Sequence, residues 1–269
     1  MTSTPAPGLS RRSLTTTALW TVPVVAIATG APLAAASTTP CTSVTQFAAT
    51  NASGNPAVLG ATSASGRTST IRITSTLAAG TTDLSGGTRY NMSQNGSGWA
   101  GNAPGGVPSE YSFAGFGPAG ALVLNQRREG DLAVLPTPGA DAQTLTFEFR
   151  DADGALFDPV DFQLTIFDIT SNTDANSWVP TYWDAVGFST EPTSIATSGS
   201  LPGAGAGTLA DPFRRATGNE YTTAGVTRSD TFHFGVFPSG STLTYTQHDG
   251  RQGWHFVSLT DLRFGADDC

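Results

Sequence analysis

Apolar residues recur at every second position in several stretches of this 269-residue chain, which is the period of a half-buried β-strand. Leu145, Phe147 and Phe149 share one side of such a run, with Thr144, Thr146, Glu148 and Arg150 on the other. Phe162, Leu164 and Ile166 repeat the pattern opposite Gln163 and Thr165. Between the two runs lies Asp151-Ala152-Asp153-Gly154, a turn composition, so the pair predicts an antiparallel hairpin with a longish loop. Ile71 and Ile73 around Arg72 predict another strand, as do Phe232, Phe234 and Val236 against His233, then Leu243 and Tyr245 against Thr244 and Thr246. A strand-like run from Trp254 to Phe264 follows. One short helix is predicted, with Asp211 as its cap, Pro212 as its first residue and Gly218 as its stop, carrying Phe213, Arg214 and Arg215. Residues 80–110, rich in Gly, Asn, Ser and Pro, predict a long surface excursion, and residues 198–208 a flexible loop. About a dozen strands with so little helix predict an all-β chain, a single β-sandwich of jelly-roll type.

Composition supports strands over helices. Charged residues make up only 13% of the chain, and Thr and Ser take their place, which suits pleated surfaces and turns better than solvent-facing helices. The 31 Gly and 17 Pro stay below the level of a disordered low-complexity chain. The net charge of −8 disfavours nucleic acid, whose phosphates call for a basic footprint, and gives no attraction to anionic lipid. All 13 basic residues are arginine. The absence of lysine excludes a Schiff base, a pyridoxal site and a phosphate-loop lysine.

The first 36 residues read as a cleaved export signal. Arg11 and Arg12 precede a moderately apolar stretch, which Pro23, Gly30 and Pro32 make too broken for a membrane span, and Ala34-Ala35-Ala36 provides a small-residue cleavage site after Ala36. The expected domains are therefore a signal peptide over 1–36 and a secreted β-sandwich over 37–269. The latter holds 21 acidic residues against 11 arginines, a net charge of −10, with no further membrane span. In an oxidising compartment Cys41 and Cys269 are expected to form a disulfide, which requires the first and last strands to be neighbours. Without a retention signal, release to the exterior or loose association with the cell wall is expected.

Four resemblances bear on these expectations. Ser10-Arg11-Arg12-Ser13-Leu14 resembles a twin-arginine export signal; Thr15 and Thr16 depart from its usual continuation, which leaves the general secretory route open. The leader, with Trp20-Thr21-Val22-Pro23-Val24-Val25, is similar to those of actinobacterial exported proteins. The stretch from Phe162 to Thr170, then Tyr182-Trp183-Asp184-Ala185-Val186-Gly187-Phe188, resembles a pattern in bacterial secreted and surface β-sandwich modules, and Val257 to Phe264 is similar to the closing strand of jelly-roll and carbohydrate-binding modules. These likenesses imply fold and location, with no ligand.

The chain has no Gly-x-Ser-x-Gly elbow, and no pattern ties His233, His248 or His255 to a nucleophile or to zinc spacing, so the three read as solvent-facing or internally satisfied. The aromatic group Trp178, Tyr182 and Trp183 is the candidate ligand site, because flat aromatic faces at a sandwich edge stack on sugar rings; the plainer alternative is that Trp178 or Trp183 caps the core. Asp168, Asp174 and Asp184 are candidate ligands for a structural calcium, while Asp151 to Gly154 fails the spacing of a calcium loop at Ala155 and reads as a plain turn. The expected function is a non-catalytic extracellular or cell-surface protein binding a cell-envelope or environmental glycan, or a surface protein. The alternatives are a polysaccharide-active enzyme with paired carboxylates and a purely structural wall component.

Overall fold

The structure is a computed structural model that describes residues 41–45, 54–85, 88–89, 91–94, 118, 120–129, 141–173, 182–221, 228–249 and 255–266, all within the unit Thr39–Cys269. Every regular element among these residues is a strand, in keeping with the all-β expectation, and none is a helix long and apolar enough to cross a membrane. In chain order the strands are β1 (Cys41–Thr45), β2 (Ala57–Ser63), β3 (Thr68–Leu77), β4 (Thr81–Thr82), β5 (Leu84–Ser85), β6 (Thr88–Arg89), β7 (Ser93–Gln94), β8 (Leu122–Arg128) and β9 (Ala142–Arg150). They continue as β10 (Val160–Phe167), β11 (Ser171–Asn172), β12 (Tyr182–Phe188), β13 (Ser194–Thr197), β14 (Gly203–Ala204), β15 (Phe213–Arg215), β16 (Ser229–Val236), β17 (Thr242–Gln247) and β18 (His255–Ala266).

The strands pair in the order β13-β16-β10-β18-β1-β2-β3-β9-β17-β12-β15-β14, with β8 added on β18 and the short β4 and β7 on β8. The pairings in this path are antiparallel. Strands β9 and β10 lie five steps apart, about 24 Å along a flat sheet. Yet the rings of Phe149 on β9 and Phe162 on β10 meet edge to face at 5.6 Å. Phe188 on β12 likewise packs 4.9 Å from Phe232 and 5.0 Å from Phe234 on β16, near the other end of the path. The sheet therefore curls until its apolar faces meet, and Ile71, Phe147, Leu164, Val186, Leu243 and Leu259 share one core.

That curl corrects the hairpin expected between 144–150 and 162–166. Strand β9 pairs with β3 and β17, and β10 with β16 and β18, so the two runs face each other across the core instead of sharing hydrogen bonds. Alternation identifies each strand's buried side but is blind to its partner. The turn between them is as read. Asp151 accepts the amides of Asp153 and Ala155 on its carboxylate, and Gly154 takes a positive φ of 85°.

Three other expectations are corrected. The segment from Asp211 to Gly218 forms no helix; it carries β15, paired with β12 and β14. Phe213 and Arg215 alternate inward, so tertiary burial of both overrides the helix-start signal. The Asp211 carboxylate instead accepts the amide of Ala206. Val236 is 50% exposed while Phe237 is fully buried, stacked on Phe162 at 4.4 Å. The larger ring takes the core position because it removes more apolar surface from water. Residues 198–208 are not merely a loop. They contain β14, and Thr208 bridges Phe188. There a Cβ on Gly187 would stand 2.6 Å from the Thr208 carbonyl oxygen. Gly187→Ala is therefore expected to destabilise the protein by about 1–3 kcal/mol, read as a lower urea midpoint at unchanged slope.

The first and last described strands are neighbours, as the expected disulfide requires: β1 pairs with β18, with Cys41 opposite Ala266. Cys269, and with it the bond, lies outside the described residues, as do Arg11, Arg12 and the cleavage site at Ala36.

Candidate functional site

Two polar constellations stand out, one sealed inside the sheet and one open on its outer face. The sealed one extends the inward phase of several strands. His255 precedes Val257 and Leu259 on β18, Tyr245 and Gln247 follow Leu243 on β17, and Asp184 precedes Val186 on β12. Asp141 stands immediately before β9. Register brings Asp184 opposite Gln247, and Gln126 of β8 opposite His255.

His255 is the hub. Its Nε2 lies 2.6 Å from Asp141 Oδ2, and its Nδ1 lies 3.0 Å from Asp184 Oδ1 and 2.6 Å from the Tyr245 hydroxyl. Tyr245 donates to Asp184 Oδ1 at 2.7 Å, and Gln247 Nε2 donates to Asp141 Oδ2 at 3.0 Å. The other Asp184 oxygen accepts the amide and the hydroxyl of Thr170. Burial by itself would push the imidazole down, but Asp141 and Asp184 together outweigh it and raise His255 to about 9. At neutral pH it is an imidazolium donating from both nitrogens. Burial pushes Asp141 up, yet the charge and hydrogen bond of His255 outweigh it and hold this carboxyl below its usual range. For Asp184 burial prevails over the His255 and Tyr245 bonds, and its pKa is raised. Burial and the adjacent Asp184 carboxylate hold the Tyr245 phenol well above its usual value.

Aspartate, histidine and tyrosine in mutual contact are an acid–base vocabulary, but a general acid or base must come within hydrogen-bond reach of the substrate. Asp141 and Tyr245 are 0% exposed, Asp184 1% and His255 3%. The group joins β8, β12, β17 and β18 from within and has no surface to offer.

The open constellation lies toward the other end of β18. Outward-facing positions on five strands fall into one register row: Ser194 of β13 opposite His233 of β16, His233 opposite Gln163 of β10, Gln163 opposite Arg263 of β18, and Arg263 opposite Val44 of β1. Ser194, His233, Gln163 and Arg263 of this row floor a cleft of about 630 Å³, completed by Thr42, Asp161, Thr193, Gly235 and Gly265. The volume suits a small ligand or a few units of a chain. Backbone irregularities shape the cleft. The β10–β18 register shifts on both sides of Gln163, and Asp161 has a φ of 48°, the left-handed region that a non-glycine residue seldom occupies. A Cβ on Gly235 would meet nothing within 4 Å, so that glycine leaves the floor open. Phe162, Phe234 and Phe264 border the cleft only from below, since all three are buried in the core. The side chains of Asp161, Gln163, His233 and Arg263 have no hydrogen-bond or ion-pair partner among the described residues. Unlike the buried network, this face presents polar groups with bonds still to make.

The candidates read from the sequence are placed elsewhere. Tyr182 and Trp183 are both half-buried on β12, and as strand neighbours they point to opposite faces. The Trp183 indole donates to the Arg215 carbonyl oxygen at 3.1 Å and meets His248 edge-on at 4.8 Å. Trp178 and Asp174 lie outside the described residues. Asp168, at a φ of 67° just beyond β10, is buried, while Asp184 gives both carboxylate oxygens to His255, Tyr245 and Thr170. Among the described residues no group of three His, Cys, Asp or Glu side chains is arranged to hold a metal ion. The set Asp141, Tyr245, Gln247 and His255 and the set Asp161, Gln163, His233 and Arg263 were not singled out from sequence. The first did leave a trace there, since Tyr245 sits on the apolar phase of its strand, as does His255 two residues before Val257.

No protein-family model, no curated protein and no solved structure matches this chain.

Proposed function

We propose that this protein is a secreted, non-catalytic β-sandwich of jelly-roll type, exported behind the 1–36 signal and joined end to end by Cys41 and Cys269, that binds glycan in the cleft over β13, β16, β10, β18 and β1. The observation that carries the reading is the row Ser194–His233–Gln163–Arg263, an aligned set of polar side chains lining a cleft on the outer face of the sheet. Planar amide, imidazole and guanidinium groups beside a carboxylate match the closely spaced hydroxyls of a sugar, which both donate and accept. The curl of the strand path supports the sandwich, and the sealed state of the Asp141–His255–Asp184 group supports a role without catalysis. A protein partner is a weaker match, because the residues lining the cleft expose no apolar side chain to anchor one, and the exposed Val44 stands beside Arg263 outside that lining.

A glycan array followed by calorimetry tests this. Gly235→Leu fills the cleft from a position with free space and ordinary backbone geometry, so the fold should be kept while affinity falls by roughly tenfold or more. Tyr182→Ala and Trp183→Ala should leave binding within about twofold. Unchanged binding in Gly235→Leu, or loss confined to the two aromatic variants, would move the site to β12 and overturn the assignment.

A further inference from the structure

We propose that the cleft selects acidic saccharides, with the carboxylate of a uronic acid held by Arg263 and the ring hydroxyls by Gln163, His233 and Asp161. This rests on the glycan reading above and adds the charge of the ligand.

The first ground is an arginine that lines the cleft with no carboxylate of its own. Arg67, Arg89, Arg150, Arg214 and Arg215 each sit on a carboxylate: Asp153, Asp83, Glu148, Asp211 and Asp230 in turn. Arg72, Arg128, Arg228 and Arg263 pair with none among the described residues, and of these four only Arg263 lines the cleft, beside Gln163 in the row.

The second ground is donor balance. Arg263 brings five N–H donors in a planar fork that fits a carboxylate with two parallel bonds. Beside it in register stand the Gln163 amide and then the His233 ring, and Thr42, Thr193 and Ser194 add hydroxyls. Asp161 alone is an obligate acceptor. It precedes Gln163 by two residues on the bulged part of β10, has a left-handed backbone and lines the cleft exposed. A ligand that is anionic at one group and rich in hydroxyls elsewhere satisfies both ends: carboxylate to Arg263, hydroxyl donors to Asp161. The net charge of −8 repels anions at long range, so recognition has to come from contact at Arg263 and not from steering.

The test uses oligogalacturonates as probe and their fully methyl-esterified counterparts as control, the same chain with the carboxylate masked. The acid form should bind the full-length protein at least roughly tenfold more tightly than the ester, and Arg263→Ala should abolish that preference. Arg263→Lys, which keeps the charge but loses the fork, should recover only part of it. Thermal melting of each variant checks the fold. Equal binding of acid and ester that Gly235→Leu abolishes and Arg263→Ala spares would overturn the acidic preference and leave the glycan cleft standing. Binding of polyglutamate as tight as that of the acid sugar would overturn the saccharide. Acid-form binding that survives both Arg263→Ala and Gly235→Leu would place the contact outside the cleft and overturn this inference. No binding of any glycan would overturn the underlying reading as well.

Discussion

His255→Ala is expected to lower stability by about 3–5 kcal/mol, because it removes the cation between two buried carboxylates and leaves both uncompensated. Asp141 and Asp184 would lose their shared donor, and the Tyr245 hydroxyl one of its two neighbours. His255→Gln keeps one neutral donor and should cost less. Both variants should also change how stability responds to pH. In the unfolded chain the imidazole loses its proton near pH 6.5, whereas in the fold it keeps it to about 9. Between those values the folded state binds more protons, so every rise in pH favours unfolding. The contribution is complete below about pH 6.5 and lost by about pH 9, an amount of order 3 kcal/mol. Tyr245 extends the decline above pH 10, since its phenol stays protonated in the fold and ionises when unfolded. On the acid side, the depressed Asp141 contributes stability that is lost as pH falls through its folded value; the raised Asp184 works in the opposite sense. Urea midpoints measured from about pH 6 to 9 should fall steadily for the natural chain and stay nearly flat for His255→Gln. Equal slopes for the two proteins would mean that His255 is neutral in the fold.

Arg215→Met is expected to have a similar cost, about 3–5 kcal/mol, for a related reason. Arg215 is the largest fully buried side chain among the described residues. Its Nη2 pairs with Asp230, its Nε donates to the Ile169 carbonyl oxygen at 2.6 Å, and its Nη1 donates to the Leu201 carbonyl oxygen at 3.1 Å. The guanidinium thus joins β15, β16 and the segments after β10 and before β14. Removing it leaves a buried carboxylate and two carbonyls unanswered, and burial already pushes the Asp230 carboxyl up even with Arg215 beside it. Removing the charge on both sides is a different case, since a buried ion pair replaced by apolar groups is often close to neutral. The double variant Arg215→Met/Asp230→Leu should therefore regain much of the single variant's loss, and a double-mutant cycle in urea checks it. Strictly additive costs would show that the two charges do not depend on each other.

What is legible in the sequence follows a physical divide. Period-2 alternation identified the inward residues of β3, β9, β10 and β17, because burial on one face of a pleated strand leaves that signature in the sequence itself. The same signal failed at Val236 and Phe237, where strand phase changes, and at Phe213 and Arg215, where helix-start residues lie in a strand. The aromatic candidates rest on what their rings can do. Only the structure places Tyr182 and Trp183 on opposite faces of β12 and ties the Trp183 indole to the Arg215 carbonyl.

Strand character and the inward side of most strands follow from the chain alone, because both depend on neighbours a few residues apart. Which strands pair is set by contacts distant in sequence. The cleft shows the reason: Thr42, Gln163, Ser194, His233 and Arg263 are separated by up to 221 positions, and no local pattern encodes their adjacency. Their meeting depends on the antiparallel register of five strands and on the bulged part of β10. The buried network has the same origin, since Asp141 and His255 become partners only when the curled sheet brings the start of β9 and the start of β18 together.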